Sequence, residues 1–365
     1  MGRRLEVTNL GVVEYDDGLE LQEALRQEVG AGSVPDQLLL LEHPPVITLG
    51  RNTGDGNVLL SSEELSQRGI ALFETGRGGD VTFHGPGQIV GYPIVNLDPD
   101  RRDVRRYVRD LEETIIRTLE DFDVKSGRIA GLTGVWIGDM KIAAIGVRIS
   151  RWITSHGFAF NIGTNLGYFD TIVPCGLGDH GVTSLERFLG ESVSRETVRE
   201  RLAARFAEVF ERDAEERPVN SRSVQVLVWR RGESGIQVLL LRRVPADGGF
   251  WQPVTGIVEA GESPAEAGAR ECAEETGLVG PVEDLDYIRD FRIAREYVGG
   301  TDPHPWINRE HALTLEHAGE SEVRLSRDEH DEYLWTEPNR ARELLKWNGN
   351  KRALERLEAR VAEMA

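Results

Sequence analysis

The sequence predicts two consecutive α/β (α+β) domains, on three observations. The chain's 365 residues exceed what one hydrophobic core usually organises. Each half interleaves short strand-like runs with stretches whose apolar residues recur at helical spacing. Between the halves, Asp213-Ala214-Glu215-Glu216-Arg217-Pro218-Val219-Asn220 has no apolar period and a proline, the composition of a linker. The expected domains are therefore 1–212 and 221–365, joined by 213–220.

In the first half, Leu19 to Val29 reads as a short helix, and Gln37 to Glu42 and Val46 to Leu49 as strands about His43-Pro44-Pro45. The run Arg77-Gly78-Gly79-Asp80-Val81-Thr82-Phe83-His84-Gly85-Pro86-Gly87-Gln88 holds five Gly or Pro residues, which let the backbone pass where a side chain would collide. A hairpin turn accounts for that glycine density alone. Arg77, Asp80 and His84 add charge and hydrogen-bonding groups to the same turn, which favours a binding loop. Gln88 to Leu97 suits a buried strand. From Asp103 to Phe122, Val104, Val108, Leu111, Ile115, Leu119 and Phe122 recur every three or four residues, an amphipathic helix with arginines on its outside. Val135 to Ala143 is a hairpin turning at Gly138-Asp139, with Lys141 just past the turn. His156 to Ile162 continues as strand, and Glu196 to Arg212 is a helix that closes the domain.

A formal charge of −19 disfavours nucleic acid as a partner, since phosphate contacts need a basic face. The dense basic stretch Arg101-Arg102-Asp103-Val104-Arg105-Arg106-Tyr107-Val108-Arg109 reads either as a steering patch or as a solvated helix face. No run of about 18 apolar residues occurs and the start lacks a hydrophobic signal core, so neither a membrane span nor secretion is expected and the expected compartment is the cytoplasm. The two cysteines, Cys175 and Cys272, form no CxxC pair, which argues against a disulfide framework or thiolate zinc.

Cys175 lies in Pro174-Cys175-Gly176-Leu177-Gly178-Asp179-His180-Gly181, too rich in glycine for a core element. A thiol is nucleophilic only as thiolate and needs a cation or base beside it. On the residues alone Asp179 and His180 are the nearest candidates. The Gly-rich run, with Leu41-Glu42-His43-Pro44-Pro45, Leu49-Gly50-Arg51, Lys141-Ile142-Ala143-Ala144-Ile145-Gly146-Val147-Arg148, His156-Gly157-Phe158-Ala159-Phe160-Asn161 and Pro174-Cys175-Gly176-Leu177, resembles the lipoyl(octanoyl) transferases over about residues 1 to 212. The resemblance implies a biotin/lipoate ligase-like mixed sheet and transfer of octanoyl from octanoyl-acyl carrier protein to a lysine of lipoyl domains. The implied acceptors are those of 2-oxoacid dehydrogenases and the glycine cleavage H protein. It implies Cys175 as nucleophile, forming an acyl thioester, and Lys141 as its catalytic partner, with no cofactor in this domain. It further implies substrate contacts from Arg77, Gly78, Gly79, Asp80, Val81, Thr82, Phe83 and His84, completed by Ala144, Ile145 and Gly146 and by Gly157, Phe158 and Ala159. His84 is left with two roles, polarising the carbonyl or bracing the loop. The related lipoate ligases share the fold but activate the acid with ATP and lack the cysteine and lysine combination.

The sharpest motif is in the second half, from Gly256 to Leu278. Ser263 reads as N-cap, Pro264 as first helical residue, Glu266 as the partner in a capping box and Gly277 as the stop. At about 100° per residue Glu271, Glu274 and Glu275 share a face, while Ala265, Ala269, Cys272 and Thr276 form another that packs on a sheet. Like charges at these spacings cost roughly 0.2–0.5 kcal/mol per pair, which a divalent cation reverses. Oxygen ligands suit Mg²⁺ or Mn²⁺ bridging to a diphosphate.

The stretch resembles the Nudix box, Gly-x5-Glu-x7-Arg-Glu-U-x-Glu-Glu-x-Gly-U, departing only by Cys272 at an aliphatic (U) position, where a small apolar residue leaves the ligands untouched and is expected to be inert. With the hairpin Val224 to Trp229 and Ile236 to Arg243, it implies a Nudix α/β/α sandwich. Phe250-Trp251-Gln252-Pro253-Val254-Thr255-Gly256, Asp328-Glu329-His330 and Trp347-Asn348-Gly349-Asn350-Lys351 are similar to dihydroneopterin triphosphate pyrophosphatase. That implies a small diphosphate substrate, metal ligands among Glu271, Glu274, Glu275 and Glu329, and substrate contacts from Arg243 and Thr255. Glu329 also reads plainly as one acid of a charged loop, and nucleotides or dinucleoside polyphosphates are alternative substrates. The whole chain reads as a bifunctional enzyme, or as a transferase regulated by a nucleotide-sensing second domain.

Overall fold

A computed structural model describes residues 2–364 apart from 55, 174–179, 218, 220, 233–234, 293–306 and 319–321. It divides into two compact units, the first built on Met1–Val219 and the second on Asn220–Ile293 with Trp306–Ala365.

The strands of the first unit are β1 (Arg3–Val12), β2 (Asp36–Glu42), β3 (Val46–Leu49), β4 (Ala71–Glu74), β5 (Thr82–His84), β6 (Gln88–Ile94), β7 (Gly127–Ile129), β8 (Leu132–Ile137), β9 (Met140–Ser150), β10 (Ile153–Asn161), β11 (Gly181–Val182) and β12 (Arg212–Glu216). Its helices are α1 (Tyr15–Gly30), α2 (Ser62–Gln67), α3 (Val104–Glu120), α4 (Leu185–Leu189) and α5 (Arg195–Phe210). A nine-stranded mixed sheet runs β12-β1-β2-β6-β10-β9-β8-β7, with β11 beside β9, and β4-β3-β5 form a small second sheet.

Every residue of β2, β6 and β10 is buried, because helices cover the central strands on both faces, as in other sandwiched sheets. Leu38, Leu40, Ile89, Phe158 and Phe160 join Leu111, Ile115 and Leu119 of α3 and Leu202 and Phe206 of α5 in one core. α1 packs on β2, β6 and β10. The hairpin β8–β9 turns where expected, Ile137 pairing Met140, and Lys141 stands second on the returning strand.

One expectation changes. The stretch 213–220 begins as strand: β12 pairs in parallel with β1, Arg212 to Glu216 opposite Arg3 to Val7. Its backbone is held by the ladder while most of its side chains face solvent, so it shows no apolar period. Arg212 anchors it, donating to Asp36 Oδ2 at 2.9 Å and Asp100 Oδ2 at 3.1 Å. In the basic stretch Arg101 is buried against Asp110 and donates to Val209 O, Arg102 pairs Asp98 and Arg106 reaches Asp110, acids that flank the stretch, while Arg102, Arg105, Arg106 and Arg109 are exposed.

The second unit contains β13 (Ser221–Gly232), β14 (Gly235–Arg243), β15 (Trp251–Gln252), β16 (Val254–Ile257), β17 (Val282–Arg292), β18 (Ile307–Glu316) and β19 (His330–Thr336), with α6 (Pro264–Thr276), α7 (Pro338–Leu344) and α8 (Asn348–Glu363). Its seven-stranded sheet runs β15-β14-β13-β18-β17, with β16 on β13 and β19 on β14. α6 closes one core with Val224, Val226, Leu239 and Leu313; α7 and α8 close another with Leu227, Trp229, Leu240 and Tyr287.

The α6 cap forms as read, Ser263 and Glu266 exchanging both bonds of the capping box and Gly277 ending the helix at φ 70°. Its packed face is rotated from the expectation: Ala267, Gly268, Cys272, Glu275 and Thr276 are buried, whereas Ala265 is exposed. Gly268 sets this contact, since a Cβ there would lie 2.7 Å from Leu313. No helix among the described residues is long and apolar enough to cross a membrane.

Candidate functional site

In the first unit a cavity of about 400 Å³ lies where the small sheet meets β6, β9 and β10. Antiparallel pairing of β5 with β3, Val46 opposite His84, folds the Gly-rich run back over it. The cavity wall gathers Arg77, Gly79, Asp80, Val81, Thr82 and His84, then Lys141, Ala144, Ile145 and Gly146, then Gly157, Phe158 and Ala159. Gly78 and Phe83 are not in the wall. Phe83 points the other way because strand residues alternate faces; it is fully buried and stacked on Tyr168 at 4.7 Å. Residues that sequence reasoning did not nominate complete the wall, among them Tyr15, Gln88, Tyr92, His156, Asn161, Phe169 and Val182. Gln88, His156 and Asn161 stood at the edges of recognised motifs; Tyr15 and Tyr92 had no local signal.

Arg77 is buried and hydrogen-bonds Thr48 O at 2.7 Å and Thr48 Oγ1 at 2.9 Å. Burial draws its pKa down, but a guanidinium stays charged near neutrality. Asp80 holds the loop from within, accepting from Asn57 Nδ2 at 2.9 Å and from Val81 N–H at 2.6 Å. Lys141 Nζ lies 4.8 Å over the Trp136 ring, which packs edge-on against His180 at 5.3 Å.

A hydrogen-bond chain fixes the state of His84. Asn161 Nδ2 donates to Thr183 O at 3.1 Å, so its Oδ1 accepts from Gln88 Nε2 at 2.9 Å. Gln88 Oε1 is then the acceptor that faces His84 Nδ1 at 2.8 Å. Nδ1 therefore carries the proton and Nε2 the lone pair. Burial, with His43 next, holds the His84 pKa down to about 3. The neutral ring thus commits its N–H to Gln88 and has no second N–H to offer a carbonyl. His43 and His156 are likewise pushed down by burial, each to about 4. His43 donates from Nδ1 to Val13 O and accepts the Tyr92 hydroxyl at Nε2, both at 2.6 Å.

Cys175 and Asp179 lie outside the described residues. The chain on either side of 174–179 borders the cavity, at Phe169 before and Val182 after. β11 pairs with β9 so that Val182 is opposite Lys141, and Thr183 N–H donates to Lys141 O at 2.9 Å.

In the second unit, Glu275 is 2% exposed and its Oε2 has no hydrogen-bond partner among the described residues. Burial, then the Glu329 and Glu271 charges, push its carboxyl up to about 9. Ligand atoms of Glu275, Glu329 and His330 lie within 4.8 Å of one another. Such a crowd of donors around an orphaned acceptor fits a divalent cation. Glu271 packs beside them, its carboxyl resting on Gly256, where a Cβ would sit 1.9 Å from Glu271 Cδ. Arg270 Nη1 steadies Glu271 Oε1 at 2.7 Å.

Glu274, expected in the ligand set, is outside the cluster: its side chain is 62% exposed and pairs with Arg270 at 3.3 Å. The i+3 position turns it to solvent while i+4 carries Glu275 inward. Arg243 and Glu329, assigned to separate roles, bond each other at 2.9 Å. Thr255 Oγ1 accepts from Gln252 at 2.9 Å. His330, fully buried, was not nominated, although it adjoins Glu329. Cys272 is fully buried and burial raises its thiol pKa, in keeping with an inert packing residue.

The two units are a lipoate-ligase-type domain followed by a Nudix domain. The models of the lipoyl protein ligase A/B catalytic domain and the NUDIX domain match residues 14–207 and 219–357. An octanoyltransferase of Myxococcus xanthus is 45% identical over 361 residues, covering 97% of this chain and 99% of that one. An octanoyltransferase of Solibacter usitatus is 54% identical over 202 residues, 55% of this chain and 91% of its own. The chain belongs to the octanoyltransferase family and carries a C-terminal Nudix domain. A crystal structure of lipoate-protein ligase A bound with ATP shares the fold at 18% identity, TM-score 0.51, covering 60% of this chain and 90% of that one.

Proposed function

We propose that the chain is a bifunctional enzyme whose first unit moves an octanoyl group from octanoyl-acyl carrier protein to a lysine of a lipoyl domain through a Cys175 thioester. The Cys175 sulfur attacks the carrier thioester and displaces the carrier's thiol. The acceptor lysine then attacks the acyl-cysteine, forming an amide and releasing the Cys175 thiol. Lys141 holds the thiol as thiolate and passes the proton that leaves the acceptor amine. Thioester exchange is nearly isoenergetic and amide formation is downhill, so no ATP is required. The reading is carried by one observation: the cavity that holds Lys141 and the Gly-rich loop also receives the chain from both sides of 174–179, at Phe169 and Val182.

Intact-mass spectrometry after incubation with octanoyl-acyl carrier protein tests this. An octanoyl adduct is expected on the unsubstituted chain and none on Cys175→Ser; an undiminished adduct on the variant removes the proposed nucleophile.

For the second unit, the proposed reaction is hydrolysis of a diphosphate-containing small molecule, with dihydroneopterin triphosphate one candidate and nucleotides others. Glu271, Glu275 and Glu329 would hold Mg²⁺ or Mn²⁺, which supplies charge neutralisation at phosphate oxygens and a more acidic water. Arg270 keeps Glu271 in place, and Arg243 keeps Glu329 in place. A panel of diphosphates offered to the full chain and to Glu275→Gln should show hydrolysis that the substitution removes.

A further inference from the structure

We propose that the imidazole of His330 is a nitrogen ligand of the divalent cation in the second unit, an inference that rests on the metal-dependent reading above. The two sides of the cluster are tied through one residue. Ser326 N–H donates to Glu275 O at 3.0 Å, and His330 N–H donates to Ser326 O at 3.0 Å. The end of α6 and the start of β19 are thus clamped together by backbone bonds, and the side chains of Glu275 and His330 meet at that clamp. Across the β14–β19 ladder His330 pairs with Arg243, whose guanidinium holds Glu329 at 2.9 Å.

The resulting spread, ligand atoms of Glu275, Glu329 and His330 within 4.8 Å of one another, is close to the roughly 4.2 Å that separates opposite donors on an ion bound at about 2.1 Å. The Oε2 of Glu275, a residue only 2% exposed, has no hydrogen-bond partner among the described residues, an independent sign that this point of the cluster expects a partner. His330 is fully buried and opens β19, where it is paired with Arg243, so its backbone is placed by the strand ladder. The chemical consequence concerns metal choice. A purely carboxylate set suits Mg²⁺, whereas an imidazole nitrogen shifts preference toward Mn²⁺, Co²⁺ or Zn²⁺.

The test is electron spin echo envelope modulation on the full chain loaded with Mn²⁺. Coupling to ¹⁴N is expected, altered on uniform ¹⁵N-histidine labelling and abolished in His330→Gln. Mn²⁺ affinity of that variant, by titration calorimetry, should fall at least about tenfold while Mg²⁺ affinity changes less than about threefold. Bound Mn²⁺ without nitrogen coupling overturns the inference and leaves hydrolysis by a carboxylate-only set standing. No Mn²⁺ binding at all overturns both. The spectroscopy on the unsubstituted chain decides the matter even if the variant does not fold.

Discussion

Asn161 Nδ2 donates to the carbonyl of Thr183 at 3.1 Å, joining the central strand β10 to the chain that leaves the cysteine-bearing stretch. Through Gln88 the same side chain reaches the Gly-rich loop, and Thr183 N–H bonds Lys141 O. Three separate segments of the cavity wall are therefore registered by one amide.

Asn161→Ala should lower octanoyl transfer at least about tenfold, with the loss in kcat rather than in KM for the carrier. It removes the bonds to Thr183 O and from Gln88 Nε2, which keeps only its 3.2 Å bond to Phe83 O, costing roughly 1–3 kcal/mol. Asn161→Asp, which keeps the acceptor and loses the donor, should fall between. Steady-state transfer assays checked against thermal unfolding decide: unchanged kcat in a destabilised variant would assign Asn161 to packing alone.

The buried histidines predict acid sensitivity of the first unit. Their folded pKa values, about 3 for His84 and about 4 for His43 and His156, lie below the 6.5 of an exposed ring. Between these values the unfolded chain binds protons that the folded one does not, so stability is fully present above about pH 6.5 and declines as pH falls toward 4. Each ring contributes up to roughly 1.4 kcal/mol per pH unit over that window. Urea unfolding followed by tryptophan fluorescence should show a transition whose midpoint falls from pH 7 to pH 5, with a shallower slope in His43→Asn.

Gly256→Ala should weaken the proposed metal site without unfolding the second unit. The added Cβ would occupy the space of the Glu271 carboxyl, and displacing it breaks the Arg270 bond at 2.7 Å. Mn²⁺ affinity is expected to drop about tenfold or more, with circular dichroism unchanged. Retained affinity would show that Glu271 is dispensable for metal binding.

Much of the fold was legible locally. Periodicity found α3 and α5, and cap chemistry found both ends of α6, because a helix end must satisfy its orphaned backbone groups with nearby residues. β12 escaped, since a parallel edge strand is specified by its distant partner β1 rather than by its own side chains. So did the rotated face of α6, which Gly268 sets by its contact with Leu313.

By itself the sequence determined which residue types are available: a loop able to approach closely, a lysine on a hairpin, and carboxylates one helical turn apart. Those follow from spacing and backbone freedom, both local properties. Only the tertiary structure decided which of them meet. It turned Phe83 away from the cavity, left Glu274 in solvent, brought His330 to Glu275, and neutralised His84 by burying it in a relay whose proton positions are set by Asn161 and Thr183. Burial and long-range hydrogen bonding are properties of the packed chain, and they fix charge states that no run of neighbouring residues encodes.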